Sequence, residues 1–213
     1  MLMNLQIRPA MNKHRVIHLI TIYFVLFTAG LCDAPHMNAD DQSNLQFIIN
    51  NPSQVNPISL KAPANREIYE SFKTYAIKNR DFQAFLPLIR AGDGDVIKCC
   101  VSLYHSRDRF AGDTLGKAGN PDIIALIGDD LNRHEPADAI VIGDWLTSSL
   151  SVQAAEIIKR IILHGNAFSP EINTWAKTLP RTGDGLRQPM KIWWNQNKAL
   201  LMAKRYDEAK LPR

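Results

Sequence analysis

The chain is short of the residue types that mark several protein classes. Only 3 of its 213 residues are Cys, too few for a disulfide framework. Gly, at 11, and Pro, at 12, are too sparse for a collagen-like or low-complexity chain. Neither sign of charge dominates: Lys and Arg number 25 against 21 Asp and Glu, and the excess includes Arg8, Lys13 and Arg15 near the N-terminus. A nucleic-acid binder needs a concentrated basic face, so that partner class is set aside. No Gly-x-Ser-x-Gly elbow, phosphate-binding loop or dinucleotide fingerprint occurs. What remains, 46% hydrophobic and 22% charged, is the composition of a globular chain of one-domain length.

One apolar run is present, from Val16 to Cys32, broken by His18 and Thr21 and preceded by the basic group Lys13, His14 and Arg15. A basic patch followed by an apolar run is the polarity of an export signal, and the run falls slightly short of the ~20 residues a spanning helix needs. Residues 1–34 therefore read as an export signal or a membrane anchor, with the mature protein expected in a bacterial periplasm or envelope. Cys32 closes the run ahead of a polar stretch and is the lipidation candidate, although Leu31 stands where lipoprotein signals have a small residue. Residues 35–65 are rich in Asn, Gln, Ser and Pro. Pro52, Pro57 and Pro63 interrupt any long helix there, which predicts a linker or extended arm. Within it, Leu45-Gln46-Phe47-Ile48-Ile49 is an apolar patch able to dock on the domain or make one helical turn.

From Arg66 onward the apolar residues keep the helical period, with no strand pair. The expected segments are Arg66 to Lys78, Asp81 to Arg90, Asp95 to His105, Asp122 to Asn132, Asp138 to Ser149, Val152 to His164, Pro170 to Thr178 and Leu186 to Ala203. Asp81, Asp95, Asp138, Ser151 and Ser169 are the expected N-caps, each able to accept from an unpaired first-turn N–H. Ser106 to Asn120 is left as a connection, and Tyr206 to Arg213 as a loose tail. Short connections favour antiparallel helix pairs.

The order Phe85-Leu86-Pro87-Leu88-Ile89, then Gly92-Asp93-Gly94-Asp95-Val96-Ile97, is an apolar helix with an internal Pro, an Asp/Gly turn and an aspartate-capped second helix. It resembles the HEAT/armadillo-like family of helical repeats. That resemblance implies an all-α fold over residues 66–213, antiparallel helix pairs stacked as a short HEAT-like α-solenoid, the alternative being an irregular helical bundle. It also implies an extended surface suited to macromolecular partners.

No side-chain pattern completes a catalytic or metal set. Cys99 and Cys100, adjacent on a helix, read as small core residues, and no metal or cofactor is expected. His36, His105, His134 and His164 fall in no zinc-protease spacing. Four Trp lie close in sequence: Trp145, Trp175, Trp193 and Trp194. Core packing accounts for most of them, Trp145 and Trp175 above all. Trp193 and Trp194 cannot share a helix face, so one is expected inside and the other near the surface. As an anchor for a partner or a sugar ring, Trp193 and Trp194 are the candidate binding residues. The function expected is a non-catalytic protein-binding module of the envelope: a scaffold, an assembly factor or a toxin-neutralising immunity-type protein, with a protein partner. The alternative is a small envelope hydrolase that pairs Asp129 or Asp130 with His105 or His134.

Overall fold

The structure, a computed structural model, describes residues 37–133 and 149–212. The helices belong to a compact unit that begins at Ala39. In chain order they are α1 (Ala39–Asn50), α2 (Pro57–Leu60), α3 (Arg66–Asn79), α4 (Phe82–Arg90), α5 (Gly94–His105), α6 (Arg109–Ala118), α7 (Asp122–Ile127), α8 (Leu150–His164), α9 (Pro170–Thr178) and α10 (Asp184–Met202). Short 3-10 turns lie at Pro52–Gln54, Pro63–Asn65, Gly128–Asn132 and Tyr206–Glu208. No strand occurs among the described residues, and no helix there is long and apolar enough to cross a membrane. The fold is all-α, as the periodicity predicts. The expected helix from Asp138 to Ser149 and its cap lie outside the described residues.

Three consecutive corners share one construction. Each helix ends on a left-handed residue, Arg80 (φ 50°), Gly92 (φ 72°) or Arg107 (φ 68°), and the next residue is an aspartate. Asp81, Asp93 and Asp108 then turn Oδ1 toward two amides of the following helix, at 2.8–3.2 Å. Asp81 and Ser169 cap where expected, whereas α5 is capped by Asp93 instead of Asp95, and α8 by Ser149 instead of Ser151. Asp93 is buried, and its Oδ2 also accepts the Tyr69 hydroxyl, so the same carboxylate fastens α3 to the start of α5.

Three expectations are corrected. Residues 35–65 are not a plain linker: α1 spans 12 residues there, with Leu45 and Ile49 buried. The prolines do not prevent this because each opens a new turn, Pro52, Pro57 and Pro63 all standing where a missing N–H is harmless. The connection expected over Ser106 to Asn120 contains α6. Its glycines lower helix propensity in sequence, but Gly112 and Gly116 are buried, and this narrow face is what lets α6 lie close against α8. A Cβ at Gly116 would come 3.2 Å from the Arg160 side chain. Where the two helices end, a Cβ at Gly165 would come 2.6 Å from the Gly119 carbonyl oxygen. The tail, finally, is held. Buried Asn197 accepts the Lys210 N–H at 2.7 Å and donates to the Lys210 carbonyl at 3.0 Å, alongside its bond to the Trp193 carbonyl at 2.9 Å, so its oxygen and both amide protons are used.

The core centres on α8, where Ala154, Ala155, Ile157, Ile158, Ile161 and Ile162 are fully buried. Helices α6, α9 and α10 and the 128–132 turn pack around it, which explains isoleucine on more than one face. These contacts establish the helical class; they do not establish serial stacking of repeats.

Candidate functional site

Helix α10 carries the two tryptophans singled out in the sequence, and both are 0% exposed. Their side chains leave the helix about 100° apart, but α10 is covered on both sides. Trp193 packs against Phe168, ring centroids 5.8 Å apart, and Trp175, 5.9 Å. Trp194 lies on Gly128, where a Cβ would stand 2.5 Å from the indole. Its N–H donates to Asp129 at 3.1 Å, while Lys198 spans from the same carboxylate to the ring face. The expectation of one surface tryptophan is thus overturned, and neither Trp193 nor Trp194 offers a partner an exposed anchor. Trp175, expected in the core, is only half-buried. The Trp193 N–H is itself buried with no hydrogen-bond partner among the described residues.

The structure does bring a histidine and a carboxylate together. His105, at the end of α5, places Nε2 2.9 Å from Oδ2 of Asp130, which is 4% exposed. Arg133 Nε takes the other oxygen at 2.7 Å. Beneath them the Tyr104 ring lies 5.0 Å from the imidazole, and its hydroxyl donates to the Leu150 carbonyl at 3.1 Å. Burial, with Asp130 adding to it, pushes that phenol well above its ordinary range. A carboxylate behind an imidazole is the orienting half of a general-base pair. Here, however, both carboxylate oxygens are already engaged, and the group fastens α5 to the 128–132 turn and the start of α8. Asp129 faces away from it, onto Lys198 and Trp194. His134, Trp145 and Cys32 lie outside the described residues.

Cys100 is buried and its thiol donates to the Ala111 carbonyl at 3.6 Å; burial drives its ionisation far up, which suits a packing role. Cys99 is half-buried. Among the described residues no three His, Cys, Asp or Glu side chains converge as metal ligands.

A surface feature the sequence reading passed over is the end of the layer formed by α4 and α6. Phe82 and Phe110, in the first turns of these helices, have ring centroids 6.0 Å apart. Phe110 is 54% exposed, with the Arg109 guanidinium 4.7 Å from its centroid. Exposed Arg80 sits on the corner just before Phe82. A left-handed conformation costs a residue other than Gly ~1 kcal/mol. The intervening corner uses Gly92, yet the two corners at this end hold Arg80 and Arg107. The signal was in the sequence, as Arg80-Asp81-Phe82 and Arg107-Asp108-Arg109-Phe110.

Elsewhere, a cavity of about 330 Å³ lies where α1, the 52–54 turn, α2 and the start of α3 meet. No protein-family model, curated protein or solved structure matches the chain at a significant level.

Proposed function

We propose that the protein is an exported, non-catalytic protein-binding module whose partner contact is the end of the α4/α6 layer. One observation carries this: Phe110 stands in solvent, backed by Phe82 and crossed by Arg109, beside an arginine kept on a strained corner. Exposed aromatic and arginine side chains side by side are the residue types that dominate binding energy at protein interfaces. The partner surface that fits is an apolar spot flanked by carboxylates, because Arg80 and Arg109 make no ion pair among the described residues. Export rests on the basic Lys13, His14 and Arg15 ahead of the apolar Val16 to Cys32 run. The α4–α5 pair, with Pro87 inside the first helix and Asp93 capping the second, supports a HEAT-like unit at that point. Scaffold, assembly factor and toxin-neutralising protein all fall within this proposal.

The hydrolase alternative is favoured by the His105–Asp130 contact and disfavoured by the occupation of both Asp130 oxygens. A photo-crosslinking residue placed at position 110 in living cells separates the two. A protein adduct at 110, lost with Arg109→Glu, is the expected result. No adduct, together with a hydrolytic activity abolished by His105→Ala, would establish the alternative instead. Fractionation of the same cells tests export, which fails if the full-length chain stays free in the cytoplasm.

A further inference from the structure

The cavity at the start of the helical unit has a chemistry of its own, unrelated to the α4/α6 end. Its volume, about 330 Å³, lies at the small end of the range for ligand sites. None of its lining residues is charged: buried Leu60 and Ile68 give it an apolar base, and Phe47, 57% exposed, stands along one wall. Its polar groups are primary amides and a hydroxyl, and several are unused. The side chains of Asn44 and Gln54 and the Ser59 hydroxyl have no hydrogen-bond partner among the described residues. Asn56 spends its oxygen on the Ile58 and Ser59 amides, at 2.9 and 3.4 Å, which leaves its NH₂ group available. Asn65 donates to the Ser59 carbonyl at 2.8 Å, which leaves its oxygen. The site therefore offers both donors and acceptors, from several different elements, around an aromatic ring and an apolar base.

We propose that this cavity binds a neutral saccharide. Every sugar hydroxyl both donates and accepts, as does every primary amide, so free amides and hydroxyls satisfy each other without any ionised group. The C–H face of a pyranose ring gives Phe47 an apolar partner. A charged ligand would bring its charge to a site with no counter-ion. A purely apolar one would cover Asn44 and Gln54 and leave them unpaired. An extended peptide presents its N–H and C=O groups in a row and is best met by a strand edge, whereas here the amides come from α1, the 52–54 and 63–65 turns and the cap of α2, around a hollow.

The test is titration of the full chain, labelled with nitrogen-15, following the side-chain amide signals of Asn44 and Gln54. The probes are maltose and N,N′-diacetylchitobiose, with glucosamine and glucuronate as charged comparators. At least one neutral disaccharide should shift both signals saturably, and the charged sugars should bind about tenfold more weakly or less. Gln54→Leu and Phe47→Ala should each weaken the neutral sugar by about tenfold. Both positions are exposed, and unchanged circular dichroism would show that the variants are folded. Absence of a saturable shift with both disaccharides, or equal binding of charged and neutral sugars, would overturn the proposal. So would a shift of the same signals by a blocked Leu-Ala-Leu peptide but not by sugars, which would make the cavity a peptide site. None of these outcomes touches crosslinking at position 110.

Discussion

In α10 two adjacent tryptophans are both sealed from water, whereas in α1 Phe47 stands largely in solvent only two residues from buried Ile49. The two helices differ in how many neighbours they have. Helix α10 meets α8, α7 and the 128–132 turn and is crossed again by the returning tail; α1 meets α3 and the 52–54 turn. A helix covered on several sides can hide residues whose side chains point 100° apart, while one covered on a single side leaves an apolar residue for something else to meet. Aromatic residues are thus structural at one end of the unit and available at the other, and residue type alone does not separate the two uses.

The comparison breaks most visibly at Trp193. Trp193→Ala is expected to cost ~3–5 kcal/mol, enough to unfold a marginal domain, while Phe47→Ala leaves the melting temperature nearly unchanged. Equal melting temperatures for the two variants would show that α10 does not close the core. The tryptophan pair sharpens it further: Trp193→Phe removes a buried N–H that has no partner among the described residues, whereas Trp194→Phe removes one bonded to Asp129. The Trp193 substitution should therefore be the milder in a denaturant titration. Next in size is Gly128→Ala, whose methyl would meet the Trp194 indole at 2.5 Å. Overpacking of this kind costs ~1–3 kcal/mol, and combining it with Trp194→Ala should recover part of the loss.

Smaller effects belong to the exposed ends. Asn56→Ala removes the cap of α2 and should cost ~1 kcal/mol or less. The tie to the tail is set by Asp122: burial would raise its pKa, but Lys204 and Tyr206 outweigh that and hold the carboxyl below its ordinary range. A depressed pKa adds stability that is complete above the unfolded value of ~3.9 and disappears as pH falls through the folded one. The contribution is below ~1 kcal/mol because Lys204 is mostly exposed. Asp122→Asn should lower the neutral plateau by that amount and flatten the acid limb below about pH 5, with little change at the acid end.

Much of the helical framework was legible because period and caps are local. The segment Pro170 to Thr178 with its Ser169 cap and the corner at Asp81 could be read from neighbouring residues. Three helices, α1, α2 and α6, escaped such reading. Gly112 and Gly116 look like breakers until α8 supplies the surface that needs a narrow face, and Pro52 looks like an obstacle to α1 when it merely follows its end. The sites were less legible for the same reason: nothing near residue 105 announces Asp130, and nothing near Trp194 announces Gly128. Arg80 and Phe110 were readable only as a repeated Arg-Asp pair followed within two residues by Phe, and the proximity of the two copies depends on α4 and α6 lying side by side.

The repeated aspartate corners also order events in time. Their capping and backbone hydrogen bonds join residues at most five apart, such as Asp81 to Ala76 and Asp108 to Leu103, the added bond from Tyr69 to Asp93 aside. By contrast, Trp194 reaches Asp129 across 65 positions and Lys204 reaches Asp122 across 82. Closing a short loop sacrifices little chain entropy, so α3 to α6 can assemble while the partners of α10 are still distant. Weakening a corner, as in Asp108→Ala, should then slow folding, whereas Trp194→Ala should chiefly hasten unfolding. In a stopped-flow experiment the first variant would lower the folding arm of the chevron, and the second would raise the unfolding arm.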